Sequence, residues 1–173
     1  MESLKSKIQQ DLKKAQLKRD EILVSTLRMA ISAINNKEIE KRTKLSKTEP
    51  VEKLEELSKL TDDEIIEAIS SEIKKRKEAI SEYSVHGGSA SGGEKGKIEN
   101  IINKEKQELE ILQKYLPEQL SEEEIKKLVQ EAVEKTGAKE MKDMGKVMAD
   151  LMSKVKGKAE GSLVSKIVKE TLS

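Results

Sequence analysis

Apolar residues recur along most of this chain at intervals of three and four positions, which is the period of an amphipathic α-helix. The pattern predicts helices from about residue 3 to 18 and from about 20 to 41. A short acidic helix is expected after Pro50. Thr61 and Glu64 form a capping box that opens a further long helix. No run of residues favours a strand, so the sequence predicts an all-α fold.

The stretch from residue 84 to 96 interrupts the helical pattern. It contains five of the nine glycines and the only histidine, His86. Because glycine disfavours a helix interior, this stretch is expected to be a flexible loop. The Gly-Gly-Ser-Ala-Ser-Gly-Gly run also resembles an engineered linker, and the origin and role of this loop stay open. The role of an insertion at about 43–60 stays open as well. Another amphipathic helix is expected from about residue 97 to 115.

Pro117 is the best candidate for a domain boundary, because the residue before a proline is biased out of the helical region. Ser121 and Glu124 then supply a second capping box. Three helices are expected after it, at about residues 121–135, 140–154 and 162–172. The sequence therefore predicts an N-terminal helical domain of residues 1–116 and a small C-terminal three-helix domain of residues 117–173.

Composition limits the core and the compartment. With 39% charged and 1% aromatic residues, any core consists of aliphatic side chains and methionine. The stripe of Met141, Met144, Met148 and Met152 is interpreted as core filler, with an adaptable partner groove as the alternative. The absence of cysteine excludes disulfides and thiolate metal sites. No apolar run approaches the roughly 20 residues of a bilayer span, so we expect a cytoplasmic protein without membrane attachment.

The net charge of +1 conceals an uneven distribution. Residues 1–48 carry twelve basic and six acidic side chains, whereas residues 49–70 carry two and eight. Residues 139–169 hold eight lysines against four acids, which permits a local positive surface. The excess of lysine in residues 139–169 is a weak indication of nucleic-acid binding. The separation of basic and acidic residues between 1–48 and 49–70 favours an alternative role as a protein-interaction adaptor.

The residues of common catalytic and cofactor sites are scarce. A zinc site needs three or four ligands, and His86 is the only histidine in a chain without cysteine. Gly88 and Gly93 have the spacing of a phosphate loop, but Glu94 stands where its lysine is required. We therefore predict no catalytic residue, no metal and no cofactor. Arg28 is expected to pair with an acid at a helix interface, and residues 74–77 are expected to form a solvated basic face.

Several motifs follow one another in the order seen in a known family. They are Ser25-Thr-Leu-Arg28, Asn36-Lys-Glu-Ile39, Glu72-Ile-Lys-Lys-Arg-Lys77, Glu110-Ile-Leu-Gln-Lys-Tyr-Leu-Pro-Glu-Gln-Leu120 and Met144-Gly-Lys-Val-Met148. Together they resemble the YqeY family over nearly the whole chain. The C-terminal part is also similar to the tail of the B subunit of the tRNA-dependent amidotransferases.

The resemblance implies an N-terminal helical domain and a small C-terminal one, with a role in binding tRNA or a tRNA-amidation complex. In the amidotransferase a separate domain performs the ATP-dependent amidation of Glu-tRNA or Asp-tRNA, and that domain has no counterpart here. The family label, a carbon-nitrogen ligase with glutamine as amide donor, is a further alternative. The tail pattern maps onto Met144 to Met148, Gly157 to Ala159 and Val164.

The leading hypothesis is a non-catalytic, tRNA-associated helical protein whose lysines contact the RNA backbone. The candidate residues are Lys142, Gly145, Lys146, Lys154, Lys156, Gly157, Lys158 and Lys166. Gly145 inside a helix is explained either by close helix packing or by the approach of a partner to its backbone.

Overall fold

The computed structural model describes residues 3–87 and 92–172, without the side chains of residues 86, 87 and 92–94. Within the described ranges the chain is helical apart from short connections and contains no strand, which confirms the predicted all-α fold. Contacts divide the chain into two compact units, Met1–Tyr115 and Leu116–Ser173, hereafter the N-terminal and C-terminal units.

The N-terminal unit is built from five described helices: α1 (Leu4–Lys18), α2 (Glu21–Leu45), α3 (Val51–Leu57), α4 (Asp62–Gly87) and α5 (Gly92–Gln113). Helix α2 packs against each of the other four. The predicted capping box at the start of α4 is confirmed, since Glu64 N–H donates to Thr61 Oγ1 at 3.3 Å and Thr61 N–H donates to Glu64 Oε2 at 2.8 Å.

Three predicted helix ends in this unit are wrong. Helix α2 runs on to Leu45, and Lys41 near the predicted end is bonded to Glu64 of α4 at 2.8 Å. Helix α4 continues to Gly87 and α5 begins at Gly92, so the predicted loop is helical at both of its described ends. Extending an existing helix adds one hydrogen bond per residue, and α4 and α5 pack against each other, which offsets the cost of glycine. The predictions for the His86 side chain and for residues 88–91 lie outside the described residues.

The core of the N-terminal unit is aliphatic but contains one buried ion cluster. Its largest fully buried side chains are Ile8, Leu27, Ile34, Ile65, Ile69 and Leu112. Among them the Arg76 guanidinium lies 3.0 Å from Glu108 Oε2 and 3.1 Å from Glu72 Oε2, with only 6% of the Arg76 side chain exposed. Tyr83 is exposed near the far end of α4.

The C-terminal unit contains α6 (Glu122–Thr136), a single 3-10 turn (Met141–Asp143), α7 (Met144–Val155) and α8 (Gly161–Leu172). The capping box of Ser121 and Glu124 is confirmed at the start of α6. The three α-helices pack against one another around a core of branched aliphatic side chains. Its largest fully buried members are Ile125, Val129, Val147, Leu151, Val164 and Val168.

The methionine stripe is only partly a core stripe. Met144 and Met148 are half-buried against the core, but Met141 and Met152 are exposed, so the core interpretation is wrong for these two. The buried line of α7 runs through Val147, Leu151 and Val155, four residues apart. Met152 follows Leu151 by one residue and is therefore turned about 100° away from that line.

A candidate nucleic-acid interface at the Gly157 turn

The chain reverses after α7 in a tight turn that requires glycine. Lys156 has φ −55° and ψ 119°, Gly157 has φ 70°, and Lys158 N–H donates to the Val155 carbonyl at 2.9 Å. These angles are those of a type II β-turn, in which the third residue takes a positive φ. A residue with a Cβ is strained at that position, so glycine is the natural choice at 157.

Residues 117–120, which precede α6 in the C-terminal unit, hold this turn in place. Gln119 Nε2 donates to the Gly157 carbonyl at 2.7 Å, and Leu120 N–H donates to the Lys158 carbonyl at 2.7 Å. The same side-chain nitrogen, Gln119 Nε2, also donates to the Pro117 carbonyl at 2.9 Å. Residues 117–120 and 157–158 therefore form one hydrogen-bonded element, hereafter the clamped turn.

A small cavity of about 190 Å³ lies beside the clamped turn, lined by Glu118, Gln119, Leu120, Glu124 and Lys158. Hydrogen bonds from the Ser121 backbone and side chain lower the pKa of Glu124, which keeps its carboxylate ionised. Two glutamates against one lysine make the cavity unfavourable for a phosphate. The cavity itself is therefore not a candidate phosphate site.

Three of the predicted lysines come together at the clamped turn. Lys154 lies in the last turn of α7, with Nζ 3.6 Å from Asp150 Oδ2 and 3.9 Å from Glu131 Oε2. Lys156 and Lys158 flank Gly157 on either side. Lys158 is exposed, and no described carboxylate lies within 4.0 Å of its ammonium group. The turn thus displays three cations within five residues.

The remaining predicted lysines lie elsewhere on the C-terminal unit. Lys142 is 2.8 Å from Glu140, and Lys146 is 2.8 Å from Asp143 at the start of α7. The hydrogen bond with Asp143 raises the pKa of Lys146, and the same bond lowers the pKa of Asp143. Lys166 lies on α8, 3.9 Å from Glu170. All three ammonium groups belong to side chains that are mostly exposed.

Gly145 occupies an exposed position in the first turn of α7. A Cβ placed on it would meet no atom within 4 Å, so close helix packing within the described chain does not explain this glycine. Approach of a partner to the bare backbone stays a prediction.

The structure also corrects the interpretation of the arginines in the N-terminal unit. Arg28 is exposed, and no described carboxylate lies within 4.0 Å of its guanidinium, so the expected interface ion pair is wrong. The buried arginine is Arg76, inside a stretch that was expected to be solvated. Its position three residues after Ile73 and seven after Ile69 places it on the apolar face of α4, a signal that could have identified it.

A further feature that the sequence did not reveal is a groove of about 450 Å³ between α2 and α4. It is lined by Met29, Ser32, Ala33, Asn36, Lys37, Glu40, Ala68, Ser71, Glu72 and Lys75. The described part of the chain contains no group of three His, Cys, Asp or Glu residues placed to hold a metal ion. It also contains no helix long and apolar enough to cross a membrane.

Comparison with known proteins identifies the family. Residues 5–172 match the family described as Yqey-like protein. The chain belongs to that family. It is also similar to altered inheritance of mitochondria protein 41, a mitochondrial protein of the yeast Vanderwaltozyma polyspora, with 28% identity over 144 residues. The match covers 79% of this chain and 64% of the yeast protein.

Proposed function

We propose that this Yqey-like protein is a non-catalytic, cytoplasmic protein that associates with tRNA through the lysines around the clamped turn and at the start of α7. The observation that carries the proposal is the hydrogen bonding of Gln119 and Leu120 to the Gly157 turn. A stretch of the YqeY motif, Glu110 to Leu120, and a stretch of the tail pattern, Gly157 to Ala159, thereby form one element. Such an element presents Lys154, Lys156 and Lys158 on a fixed backbone.

The charges at the start of α7 suit an exchangeable contact with phosphate. Lys142 and Lys146 are bonded to acids two and three residues away, respectively, and are still largely exposed. Exposed pairs of this kind contribute little to stability, so a phosphate can replace the carboxylate at low cost. Release of counterions from the RNA then favours binding, and makes it sensitive to salt.

Backbone contact fits the composition better than base stacking. Both tyrosines lie in the N-terminal unit, and the chain has neither tryptophan nor phenylalanine. The open space around Gly145, between Lys142 and Lys146, would let a sugar-phosphate backbone approach the helix closely. Contacts of that type position an RNA without reading its bases.

The proposal is tested by the variant in which Lys154, Lys156 and Lys158 are all replaced by Ala. We expect weaker tRNA binding and a salt dependence whose log-log slope falls by about 2 to 3, close to one per lost phosphate contact. A matched control replaces Lys13, Lys97 and Lys106, which are exposed on helices of the N-terminal unit.

An unchanged affinity and slope in the first variant, or an equal loss in the control, would contradict the assignment. Amidation of Glu-tRNA by the purified chain alone, with glutamine and ATP, would contradict its non-catalytic part.

A second candidate function is the protein-interaction adaptor, which the charges of α3 favour. Glu52, Glu55 and Glu56 are exposed there, and no described cation lies within 4.0 Å of their carboxylates. Val51 beside them is also exposed. A protein partner captured after nuclease treatment, and lost when the three glutamates are changed to Gln, would support this role. Capture of nuclease-sensitive partners alone would count against it.

A further inference from the structure

Two helices of the C-terminal unit bring lysines to the same carboxylate. Lys135, in the last turn of α6, is hydrogen-bonded to Asp150 Oδ1 on α7. Lys154, one helical turn after Asp150, has its Nζ 3.6 Å from the other oxygen, Oδ2. Asp150 therefore holds one ammonium group beside each of its two oxygens. These two lysines, Lys135 and Lys154, are hereafter the lysine pair.

The acid in this arrangement is covered more than the cations are. The Asp150 side chain is 15% exposed, whereas the side chains of Lys154 and Lys135 are 36% and 66% exposed. The hydrogen bond from Lys135 lowers the pKa of Asp150, so the carboxylate stays ionised and keeps both cations beside it. A polyanion that approaches this surface meets the ammonium groups before it meets the acid.

We propose that the lysine pair binds one phosphate of an RNA backbone, with Lys135 and Lys154 on two sides of the same phosphate group. The inference rests on the proposed association with tRNA, and it adds a residue of α6 to an interface formed otherwise by α7 and the clamped turn. Hydrogen bonds between two charged groups are about twice as strong as neutral ones, so two of them on one phosphate anchor the strand. Such an anchor positions an RNA and does not read its bases.

The surroundings of the lysine pair leave room for a strand. Ala149 and Ser153, which directly precede Asp150 and Lys154, are small and exposed. One acid competes with the phosphate, since Glu131 Oε2 lies 3.9 Å from Lys154 Nζ. The Glu131 side chain is 67% exposed, so it has space to turn into solvent when a phosphate arrives.

The same pattern of a covered acid below an exposed lysine recurs earlier on α7. Lys146 lies one turn before Asp150 on the same face of the helix. Its side chain is 71% exposed, and it is bonded to Asp143, whose side chain is 15% exposed. A strand held by the lysine pair can therefore meet a further cation along α7, as in grooves that follow a nucleic-acid backbone.

The first test is the affinity of the full chain for bulk tRNA at low salt. Lys135→Ala should raise the dissociation constant about three- to tenfold, because a phosphate contact is weakened. The matched control is Lys126→Ala, which removes another exposed and ion-paired lysine of α6, 2.8 Å from Glu122. This control should change the dissociation constant by less than about twofold. Equal effects of the two variants would overturn the inference.

Asp150→Asn separates a phosphate contact from a merely structural role of Lys135. This variant breaks the ion pair between α6 and α7 but keeps both lysines and the shape of the side chain. If Lys135 contacts phosphate, binding should be at least as tight as in the unchanged chain, because an acid near the RNA is lost. Binding weakened as much as in Lys135→Ala would show that Lys135 acts only by joining the helices, and would overturn the inference.

A double-mutant cycle tests whether the two lysines share a phosphate. Lys135→Ala/Lys154→Ala should bind at least about threefold more tightly than the product of the two single effects predicts, because either change alone already breaks the shared contact. Lys135→Ala/Lys158→Ala should be additive to within about twofold, since Lys158 lies at the clamped turn. Additivity in both cycles would overturn the shared site.

Failure of this inference differs from failure of the proposed function. Weak binding by the Lys154, Lys156 and Lys158 triple variant, with unchanged binding by Lys135→Ala, would overturn the lysine pair alone. Unchanged binding by both variants would overturn the proposed function and the lysine pair with it.

Discussion

The two units of this chain handle charge in different ways. The N-terminal unit buries Arg76 together with Glu108, whose side chain is 4% exposed, while it leaves Arg28 and Glu40 on its surface without partners. The C-terminal unit has a core of aliphatic side chains and keeps its cations outside. Lys135 and Lys146, for example, are each hydrogen-bonded to a nearby aspartate.

This difference separates two sources of stability. A buried ion pair is costly to desolvate and becomes strongly destabilising when one partner is lost. An aliphatic core depends instead on filled volume and is indifferent to the loss of surface charge. The N-terminal unit should therefore respond to changes in ionisation, and the C-terminal unit to changes in packing.

The largest expected effect is at Arg76. Arg76→Met should destabilise the N-terminal unit by about 3 to 5 kcal/mol, because buried Glu108 keeps only the distant Lys104, at 4.0 Å, as a cation partner. Urea unfolding followed by tyrosine fluorescence measures this unit alone, since both tyrosines lie in it. Lys97→Met, an exposed lysine on α5, is the control and should change stability by less than about 0.5 kcal/mol.

The double variant Arg76→Met/Glu108→Leu should recover much of the loss. If Arg76→Met were as mild as the control, the buried cluster would not be a source of stability.

The C-terminal unit should be most sensitive at Leu151. Leu151→Ala should cost about 2 to 5 kcal/mol, because this side chain is fully buried and its removal leaves a cavity. Far-UV circular dichroism during urea unfolding should show a shifted transition, whereas tyrosine fluorescence should not. Met152→Ala removes the exposed neighbour and should cost less than about 1 kcal/mol. An equal cost for both variants would contradict the assigned core face of α7.

Two glycines of the C-terminal unit should respond to Ala with opposite signs. Gly157→Ala should destabilise the unit by about 1 to 2 kcal/mol, because φ is positive at that residue. Gly145→Ala should stabilise it by about 0.5 to 1 kcal/mol, because a Cβ there meets no atom and Ala favours the helix. Thermal unfolding measures both. A tRNA affinity that falls in Gly145→Ala would show that the bare backbone serves binding, and an unchanged affinity would remove Gly145 from the interface.

The smallest expected effect is on how the stability of the N-terminal unit depends on acidic pH. Burial raises the pKa of Glu72, but hydrogen bonds from Lys75 and Arg76 outweigh it and hold the pKa below its ordinary value. The folded state therefore binds this proton less readily than the unfolded chain, and the stabilisation is lost as pH falls through the folded pKa. We expect Glu72→Gln to flatten the acid side of the stability profile of the N-terminal unit. A profile of unchanged steepness would exclude Glu72 as a contributor.

Local features of the fold could be predicted from sequence, and long-range ones could not. The capping boxes at Thr61 and Ser121 each depend on two residues three positions apart, so they can be predicted from the local sequence alone. The roles of Arg28 and Arg76 depend on which face of a long helix meets α5, which is a property of the assembled unit. The helical spacing from Ile69 and Ile73 already indicates that Arg76 lies on the apolar face of α4. The run of charged residues from 74 to 77 favoured a solvated face instead.

The candidate site shows the same division. Lys154, Lys156 and Lys158 are neighbours in sequence, so their grouping at one turn could be predicted. The hydrogen bond from Gln119 joins residues 38 positions apart, and no local pattern contains it. The α2–α4 groove likewise arises only when two helices separated by α3 come together.

The proposed association with tRNA is best tested by equilibrium binding of the full chain to bulk tRNA at two salt concentrations, with duplex DNA as competitor. We predict binding that prefers tRNA over DNA and weakens steeply as the salt concentration rises. Binding no tighter than to DNA, or no binding at low salt, would contradict it.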